Sequence, residues 1–225
     1  MKNIFILCIF ICIISSLGFA IVTINVLNGN FDAWNISVYN QIALAMNPTL
    51  TELMIFIDFI GKWYVYFSIA LLLFLLPKTR QKIGLPVGFT LAFGMSLNYL
   101  LKQIFAVPRP DTYWLVNATG YGHPSGHIMY GTAFIGICVY LFFQYANKTT
   151  TKRFAFLFAI AFFILMGFNR VYLGVHTPSD IVAGYFAGIF VLTSSIFVIR
   201  HKLWATIVES SKKKKASEVQ ASLKI

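Results

Sequence analysis

Three short polar stretches interrupt an otherwise apolar chain, at residues 102–110, 124–127 and 170–180. Together they contain two histidines, several hydroxyl groups, an aspartate and three basic side chains. Ionisable groups are costly inside a membrane, so their place between long apolar runs favours a functional site. Cations bind phosphoryl oxygens, and a histidine beside a carboxylate can act as a nucleophile or a base. These residue types would support the binding and cleavage of a phosphate ester.

The overall composition indicates a membrane protein. The chain has 225 residues, of which 58% are hydrophobic and 11% are charged, and its mean hydropathy is +0.75. So much apolar surface predicts a polytopic protein whose main partner is the lipid bilayer. The net charge of +11 could suggest nucleic-acid binding. However, the basic residues cluster between apolar runs, which is typical of membrane topology, and we predict no nucleic-acid partner.

Apolar runs long enough to cross a bilayer predict six transmembrane helices. They fall at about residues 4–27, 56–77, 83–101, 126–145, 154–169 and 180–199. The first run is too long for an ordinary signal peptide, so we expect an uncleaved helix. Residues 31–60 mix apolar and polar positions, which favours one or two interfacial helices, with part of 53–61 entering the membrane. The predicted fold class is an all-α bundle of six transmembrane helices with interfacial helices.

The distribution of basic residues predicts the orientation of the bundle. Most of them fall near the two ends of the chain or in two loops. Those near the ends are Lys2, Arg200 and residues 212–215, and those in the loops are Lys78, Arg80, Lys82, Lys148, Lys152 and Arg153. The positive-inside rule places both termini in the cytoplasm and the three polar stretches on the opposite face. The compact chain suggests a bacterial cytoplasmic membrane, although an endoplasmic-reticulum protein with a lumenal site would show the same pattern. Residues 1–209 are expected to form the membrane domain, followed by a basic, disordered cytoplasmic tail at 210–225.

The second polar stretch is expected at the start of a helix, because Pro124 and the residues after it open an apolar run. Free backbone N–H groups and the helix dipole favour an anion at such a position. Ser125 can donate a hydrogen bond to a phosphate, and Gly126 would let the phosphate approach the backbone. Helix capping alone would explain the same residues, so this stretch by itself leaves both interpretations open.

The third stretch contains a predicted capping box, with Thr177 as the N-cap residue and Asp180 at position N3. Asp180 also lies four residues after His176, within reach of it on the first helical turn. A carboxylate next to an imidazole orients the ring and stabilises its cationic form, which would make His176 a competent nucleophile toward phosphorus. The two roles of Asp180 are compatible, because position N3 holds the carboxylate in place.

The first stretch places Arg109 between two prolines, which stiffen the loop and suit bidentate phosphate binding. Lys102 and Arg170 lie at the ends of apolar runs, where a basic side chain can be a simple interface anchor. Three such coincidences on one face are improbable, so we favour a shared phosphate site.

Two neighbouring residues are assigned no catalytic role. His123 is expected to be an exposed loop histidine, and Asn98 to join a helix–helix hydrogen bond.

The three stretches in order resemble the signature of the type 2 phosphatidic acid phosphatase (PAP2) superfamily. The matching pattern is Lys102-x6-Arg109-Pro110, then Pro124-Ser125-Gly126-His127, then Arg170-x5-His176-x3-Asp180. The resemblance covers about residues 55–200 and is to the small integral-membrane lipid phosphatases of that family. Asn169 stands where the family usually has a serine. Because asparagine also forms hydrogen bonds, we expect altered activity there and not its loss.

The resemblance implies a role for each matching residue. The residues expected to bind the phosphoryl oxygens are Lys102, Arg109, Ser125, Gly126 and Arg170. His176 would attack phosphorus to give a phosphohistidine, supported by Asp180. His127 would protonate the leaving oxygen and then activate water. This scheme requires no metal and no cofactor.

The predicted function is therefore hydrolysis of a phosphomonoester or diphosphate of a membrane lipid. The candidate substrates are undecaprenyl diphosphate, phosphatidylglycerophosphate, phosphatidic acid and lipid A. The motifs bind only the phosphate and therefore do not distinguish these lipids. A non-catalytic lipid-phosphate binding or transport protein would explain the helices, but not the histidines, cations and carboxylate in register. A vanadate-dependent haloperoxidase would share the pocket, but those relatives are soluble. The sequence leaves open the oligomeric state and whether water or another lipid accepts the phosphoryl group.

Overall fold

The computed structural model describes residues 2–112 and 114–201, and the regular secondary structure in those ranges is helical. The helices are α1 Lys2–Leu27, α2 Asp32–Ala43, α3 Pro48–Ile60, α4 Trp63–Leu75, α5 Leu85–Phe105, α6 Gly126–Tyr145, α7 Thr149–Tyr172 and α8 Pro178–Arg200, with a π-helical turn at Arg80–Gly84 before α5. The predicted tail and its boundary at residue 210 lie outside the described residues.

Five helical segments are long and apolar enough to cross a membrane, and a bent pair of shorter helices can supply a sixth span. The pair is α3 and α4, which meet at an angle of 42°. With 13 residues, α4 is only ~20 Å long, too short for a hydrocarbon core of ~30 Å. The all-α membrane bundle predicted from the sequence is confirmed. Among the described residues it has five candidate spans, or six if α3 and α4 together form one, and two helices occupy the region where the sequence predicted a single second span.

The short helix α2 is attached to the start of α8 through one side chain. The side-chain amide of Asn35 donates to Ser179 Oγ over 3.0 Å, and the Ser179 N–H donates to Asn35 Oδ1 over 3.1 Å. All the residues of α2 are at least partly exposed. The helix therefore lies against the surface of the bundle, at the end where α8 begins, as expected for an interfacial helix.

Close packing of α6 on α8 depends on two glycines in α8. A Cβ atom at Gly184 would lie 2.9 Å from Ile128 Cβ and 3.0 Å from the Ser125 carbonyl oxygen. A Cβ atom at Gly188 would lie 2.6 Å from the Met129 carbonyl oxygen. Small residues one turn apart let two membrane helices approach closely. This contact holds the first turn of α6 against the first turns of α8, and so brings the second polar stretch next to the third.

The turn between α7 and α8 requires a glycine. Gly174 has φ +74°, in the left-handed region that residues with a side chain rarely adopt. The Leu173 N–H donates to the Asn169 carbonyl over 2.9 Å, which completes the helix end. Thr112 Oγ1 donates to the Gly174 carbonyl over 2.7 Å and attaches the long loop after α5 to this turn. The turn thus positions His176, which lies between the two membrane helices.

Candidate active site

The structure brings the three polar stretches together at one end of the bundle. The C-terminal ends of α5 and α7, the N-terminal ends of α6 and α8, and the bend between α3 and α4 all contribute residues to this region. The site residues predicted from the sequence that are found there are Lys102, Arg109, Ser125, Gly126, His127, Arg170, His176 and Asp180. A cavity of about 340 Å³, lined in part by α2 and by His176, adjoins the region.

His176 is buried and lies between a cation and a carboxylate. Its Nε2 atom is 3.2 Å from Arg109 Nη1, and its Nδ1 atom is 3.5 Å from Asp180 Oδ2. A guanidinium can only donate a hydrogen bond and a carboxylate can only accept one. The neutral ring is therefore protonated at Nδ1, which leaves the Nε2 lone pair facing Arg109. This lone pair is the one available for nucleophilic attack.

Asp180 is held by the predicted capping box, which is confirmed. Its Oδ2 atom accepts from the Thr177 N–H over 3.0 Å, and Thr177 Oγ1 accepts from the Asp180 N–H over 3.2 Å. The other carboxylate oxygen, Oδ1, lies 3.1 Å from Nδ1 of His123. One carboxylate thus serves a helix N-terminus and two imidazole rings.

The prediction that His123 is an exposed loop residue is wrong. Its side chain is fully buried, and its Nε2 atom lies 3.0 Å from Thr23 Oγ1 of α1. The loop folds back over the bundle, where the Gly122 N–H donates to the Val107 carbonyl over 2.8 Å. Sequence distance concealed the contact, because Thr23 lies one hundred residues earlier in the chain.

The Arg109 side chain is fixed by backbone carbonyls from two segments. Its Nη1–H donates to Val175 O over 2.8 Å, Nε–H to Gly120 O over 3.1 Å and Nη2–H to Thr119 O over 2.9 Å. Partial burial lowers the pKa of Arg109, but an arginine stays charged at neutral pH. Lys102 donates to carbonyls of the same loop, those of Tyr121 and Gly122. Arg109 is therefore held beside His176, and Lys102 is held by the loop that also holds Arg109.

Arg170 forms a buried ion pair that sequence reasoning missed. Its Nη1–H donates to Asp58 Oδ1, and both side chains are at most 4% exposed. Asp58 Oδ1 is also 3.6 Å from His127 Nε2, and Oδ2 is 3.7 Å from Lys62 Nζ. Asp58 thereby connects two site residues to α3. The signal was present in the sequence, because a carboxylate inside an apolar run is itself a functional indicator.

Asn169, at the position where the family usually has serine, contributes to the same arrangement. Its side-chain amide donates to the Met54 carbonyl over 2.6 Å, and its side chain is fully buried. Met54 lies one helical turn before Asp58 on α3. Asn169 therefore attaches α7 to α3 next to the buried ion pair.

The start of α6 packs tightly against α5. A Cβ atom at Gly126 would lie 2.8 Å from Asn98 Oδ1, so glycine is required there for packing. The Asn98 amide donates to the Pro124 carbonyl over 3.2 Å and approaches Met129 Sδ of α6. Asn98 therefore contacts α6, as expected, and in addition holds the loop just before it. Ser125 is fully buried, and its N–H donates to the Asp180 carbonyl over 3.2 Å.

Several buried polar atoms of the site have no hydrogen-bond partner among the described residues. They are Ser125 Oγ, His127 Nε2, Arg170 Nε and His176 Nδ1. Buried polar atoms without partners are rare in folded proteins, and here four belong to one cluster of helix ends. His176 Nδ1 faces Asp180 and His127 Nε2 faces Asp58. Ser125 Oγ and Arg170 Nε, together with the other cations, could bind a tetrahedral oxyanion such as a phosphoryl group. In the described ranges no three metal-ligating side chains form a group that could hold a metal ion.

A bundle of membrane helices with a cation-rich histidine site at one end is the arrangement of an integral membrane phosphatase. Residues 83–204 match the family model described as the PAP2 superfamily. The match covers more than half of the chain, and the protein belongs to this superfamily. It is a membrane phosphatase of that family.

Similar proteins include named phosphatases. The chain is 29% identical over 174 residues to an undecaprenyl-diphosphatase of Sulfolobus acidocaldarius, covering 74% of this chain and 77% of the relative. It is 31% identical over 102 residues to phosphatidylglycerophosphatase B of Bacillus subtilis, covering 44% of this chain and 50% of that protein. A crystal structure of a transmembrane PAP2-type phosphatidylglycerolphosphate phosphatase from Bacillus subtilis superposes with a TM-score of 0.75. At 23% identity it covers 82% of this chain and 93% of its own, and it shows the same fold.

The protonation state of His176 can be tested directly. Burial lowers the pKa of His176 well below its ordinary value, and the charges of Arg170 and Arg109 act in the same direction, against the opposing effect of Asp180. A lowered pKa means that the neutral ring persists on acidification beyond the ordinary histidine value of about 6.5. We expect ¹⁵N NMR of the detergent-solubilised protein to show His176 neutral, with its proton on Nδ1, down to below pH 6.5.

The His176 signals would be assigned by their loss in His176→Gln. Titration of His176 at or above pH 6.5, or a proton on Nε2 in the neutral ring, would contradict the assignment.

Proposed function

We propose that the protein hydrolyses the phosphomonoester or diphosphate of a membrane lipid through a phosphohistidine formed on His176. The observation that carries the proposal is the position of the His176 Nε2 atom, which lies 3.2 Å from Arg109 Nη1. A nucleophile beside a cation can attack a phosphoryl group whose oxygens that cation binds. The site lies at the ends of membrane helices, where the headgroup of a lipid would be found.

In the first step, Nε2 of His176 attacks phosphorus and the bond from phosphorus to the leaving oxygen breaks. Arg109, Lys102 and Arg170 hold the phosphoryl oxygens and neutralise the negative charge during transfer. His127, protonated on both ring nitrogens at the start, supplies the proton that the leaving oxygen takes up and becomes neutral. The imidazole becomes positively charged as it forms the phosphohistidine, and the Asp180 carboxylate near Nδ1 stabilises that charge.

In the second step, water attacks the phosphohistidine. His127, which lost its proton in the first step, accepts one from the attacking water. The N–P bond breaks and its electron pair returns to Nε2. Inorganic phosphate is then released, whether the phosphoryl group came from a monophosphate or from the terminal position of a diphosphate. Both histidines are then restored to their starting states.

The site is proposed to open on the non-cytoplasmic face. Basic residues lie at the opposite ends of the same helices, where Arg80 precedes α5, Lys148 precedes α7 and Arg200 ends α8. Cytoplasmic loops are enriched in lysine and arginine, which supports placing those ends in the cytoplasm. A bacterial cytoplasmic membrane agrees with this orientation.

The lipid is proposed from the names of similar proteins and from the position of the site. An undecaprenyl-diphosphatase and a phosphatidylglycerophosphatase are among the relatives, which supports a lipid carrying a terminal phosphate. The groups around His176 bind phosphate and do not distinguish these headgroups. Undecaprenyl diphosphate, phosphatidylglycerophosphate, phosphatidic acid and lipid A are therefore tested together.

The test is phosphate release by the purified protein in detergent with excess EDTA, for each of the four lipids. We expect at least one lipid to be hydrolysed at an undiminished rate in EDTA, because the cationic side chains provide the charge neutralisation. An activated aryl phosphate, which is soluble in water, serves as a control for an intact active site. Hydrolysis of the aryl phosphate without hydrolysis of any lipid would contradict these lipid assignments. Complete inhibition by EDTA would contradict the mechanism.

A phosphoryl acceptor other than water gives a different signature in the same assay. If a second lipid with a free hydroxyl group accepted the phosphoryl group in place of water, adding that lipid would lower the amount of inorganic phosphate released per lipid consumed. We expect one phosphate per lipid in the presence of such an acceptor, as measured by parallel phosphate and lipid quantification.

A further inference from the structure

His123 has a complete set of hydrogen bonds that fixes its tautomer. Its Nδ1 atom is 3.1 Å from Asp180 Oδ1, and its Nε2 atom is 3.0 Å from Thr23 Oγ1. Because a carboxylate only accepts, the neutral ring is protonated at Nδ1 and donates to Asp180. The Thr23 hydroxyl then donates to Nε2. A buried ring in which both nitrogens are satisfied is held in one orientation.

Packing around the ring prevents it from turning. The Phe19 ring of α1 stacks on it with centroids 6.0 Å apart, and the Phe105 ring at the end of α5 meets it edge-on at 6.1 Å. Thr23 lies one helical turn after Phe19. Helix α1, which carries none of the three polar stretches, thus contacts the catalytic region through His123.

The two oxygens of Asp180 have separate tasks. Oδ1 accepts from His123, whereas Oδ2 accepts from the Thr177 N–H and faces His176 Nδ1. The capping box contacts only Oδ2, so it restrains the carboxylate at one oxygen. The second hydrogen bond, from His123, restrains Oδ1 as well and so fixes the plane of the carboxylate.

We propose that His123 is a positioning residue for the hydrolysis, which orients Asp180 so that Oδ2 faces the nucleophile His176. Thr23 of α1 sets the His123 tautomer that this requires. The inference rests on the proposed function, because it assigns His176 as the nucleophile. His123 acts through Asp180 and is not expected to contact the phosphoryl group.

Substitutions at position 123 separate the two hydrogen bonds. In His123→Asn the amide nitrogen lies near the position of Nδ1 and can still donate to Asp180. In His123→Gln the amide nitrogen lies near the position of Nε2, where it can form a hydrogen bond only with Thr23. His123→Phe keeps an aromatic ring at this position but can form neither hydrogen bond. Hydrogen bonds to a charged group contribute enough that we expect kcat to fall about 10- to 100-fold in the Phe and Gln variants. KM should change little, and Asn should restore most of the rate.

The experiment measures the rate of phosphohistidine formation in a single turnover, with the activated aryl phosphate, for the wild type and each variant. If the wild type forms no phosphohistidine, the proposed function fails. If it does, and folded His123→Phe forms it equally fast, only the role of His123 is overturned. An equal loss in the Asn and Gln variants would also overturn it, because the donor to Asp180 would then be irrelevant.

Thr23→Val provides an independent measurement if the Phe variant does not fold. Valine has nearly the shape of threonine but cannot donate to Nε2, so it weakens the preference for the required tautomer. We expect a decrease in kcat of roughly 2- to 10-fold, smaller than that from losing the bond to Asp180. ¹⁵N NMR should show part of the His123 population protonated at Nε2. An unchanged tautomer together with an unchanged kcat would overturn the role of Thr23 and α1.

Discussion

Replacing His176 with alanine is expected to lower phosphate release by roughly 10⁴-fold or more, the loss typical of removing a nucleophile. The Nε2 lone pair is the only group in the proposed mechanism that forms a bond to phosphorus in the first step. Electrostatic stabilisation by Arg109 and the other cations would remain and would account for the residual rate. The measurement is kcat/KM with the preferred lipid, for the variant and the wild type under the same detergent conditions.

His201→Ala is the matched control for this variant. His176 precedes α8 and His201 follows it, so the two rings are separated by the length of a 23-residue helix, ~35 Å. His201→Ala should retain wild-type activity, since it removes an imidazole from the opposite end of the same helix. Equal loss in both variants would indicate damage to the bundle. Full activity in folded His176→Ala would falsify the phosphohistidine mechanism.

A trapped intermediate would distinguish the nucleophile from the acid–base histidine. An activated aryl phosphate needs no protonation of its leaving group, so His127→Ala should still form the phosphohistidine. In the same variant the rate of phosphohistidine hydrolysis should be lower than in the wild type by roughly 10²-fold or more, because no base activates the water. Labelled protein should therefore accumulate in His127→Ala and be absent in His176→Ala, as measured after an alkaline quench that preserves a phosphohistidine.

Replacing Asp58 with alanine is expected to have the next largest effect, on both activity and stability. Asp58 is buried, and it is paired with Arg170, which is also buried. Removing one partner of a buried pair costs about 3–5 kcal/mol, because an uncompensated charge is left behind. The Arg170 guanidinium would then move toward solvent and away from the phosphoryl oxygens. We expect kcat/KM to fall by roughly 10²-fold or more and the midpoint of thermal unfolding in detergent to decrease.

The matched control is Glu52→Gln, on the same helix. Glu52 lies in α3, as Asp58 does, but its side chain is exposed. Loss of that negative charge should leave activity and unfolding temperature close to wild type, because exposed charges contribute little. Orthovanadate, which has the shape of phosphate, would report on the binding site separately. Unchanged inhibition by orthovanadate in Asp58→Ala would show that Arg170 keeps its position without Asp58, contrary to expectation.

The sequence by itself determined the fold class and the region of the chemistry. Long apolar runs have few stable solutions other than membrane helices, so an all-α membrane bundle followed from composition and run length. The capping box at Thr177 and Asp180 was also predictable, because helix capping is a local interaction. The PAP2 signature supplied the family, and the family model matches residues 83–204.

The residues that support those of the signature became visible only in the packed helices. Asp58 meets Arg170 across 112 positions of sequence, and His123 meets Thr23 across one hundred. Neither pairing leaves a periodic or local pattern, because the contacts depend on how α3 bends and how the loop after α5 folds back. The bend of 42° between α3 and α4, in the region of the predicted second span, also left no such pattern.

The physical reason for this division is the range of the forces involved. Hydrophobic run length, helix capping and charge bias act within one helix or one loop, and their residues are neighbours in the sequence. The partner of a buried polar group is chosen by packing, because any buried charge or imidazole must find a partner wherever the helices bring one. The contact of Arg170 with Asp58 and that of His123 with Thr23 are of this second kind, and so the sequence alone did not reveal them.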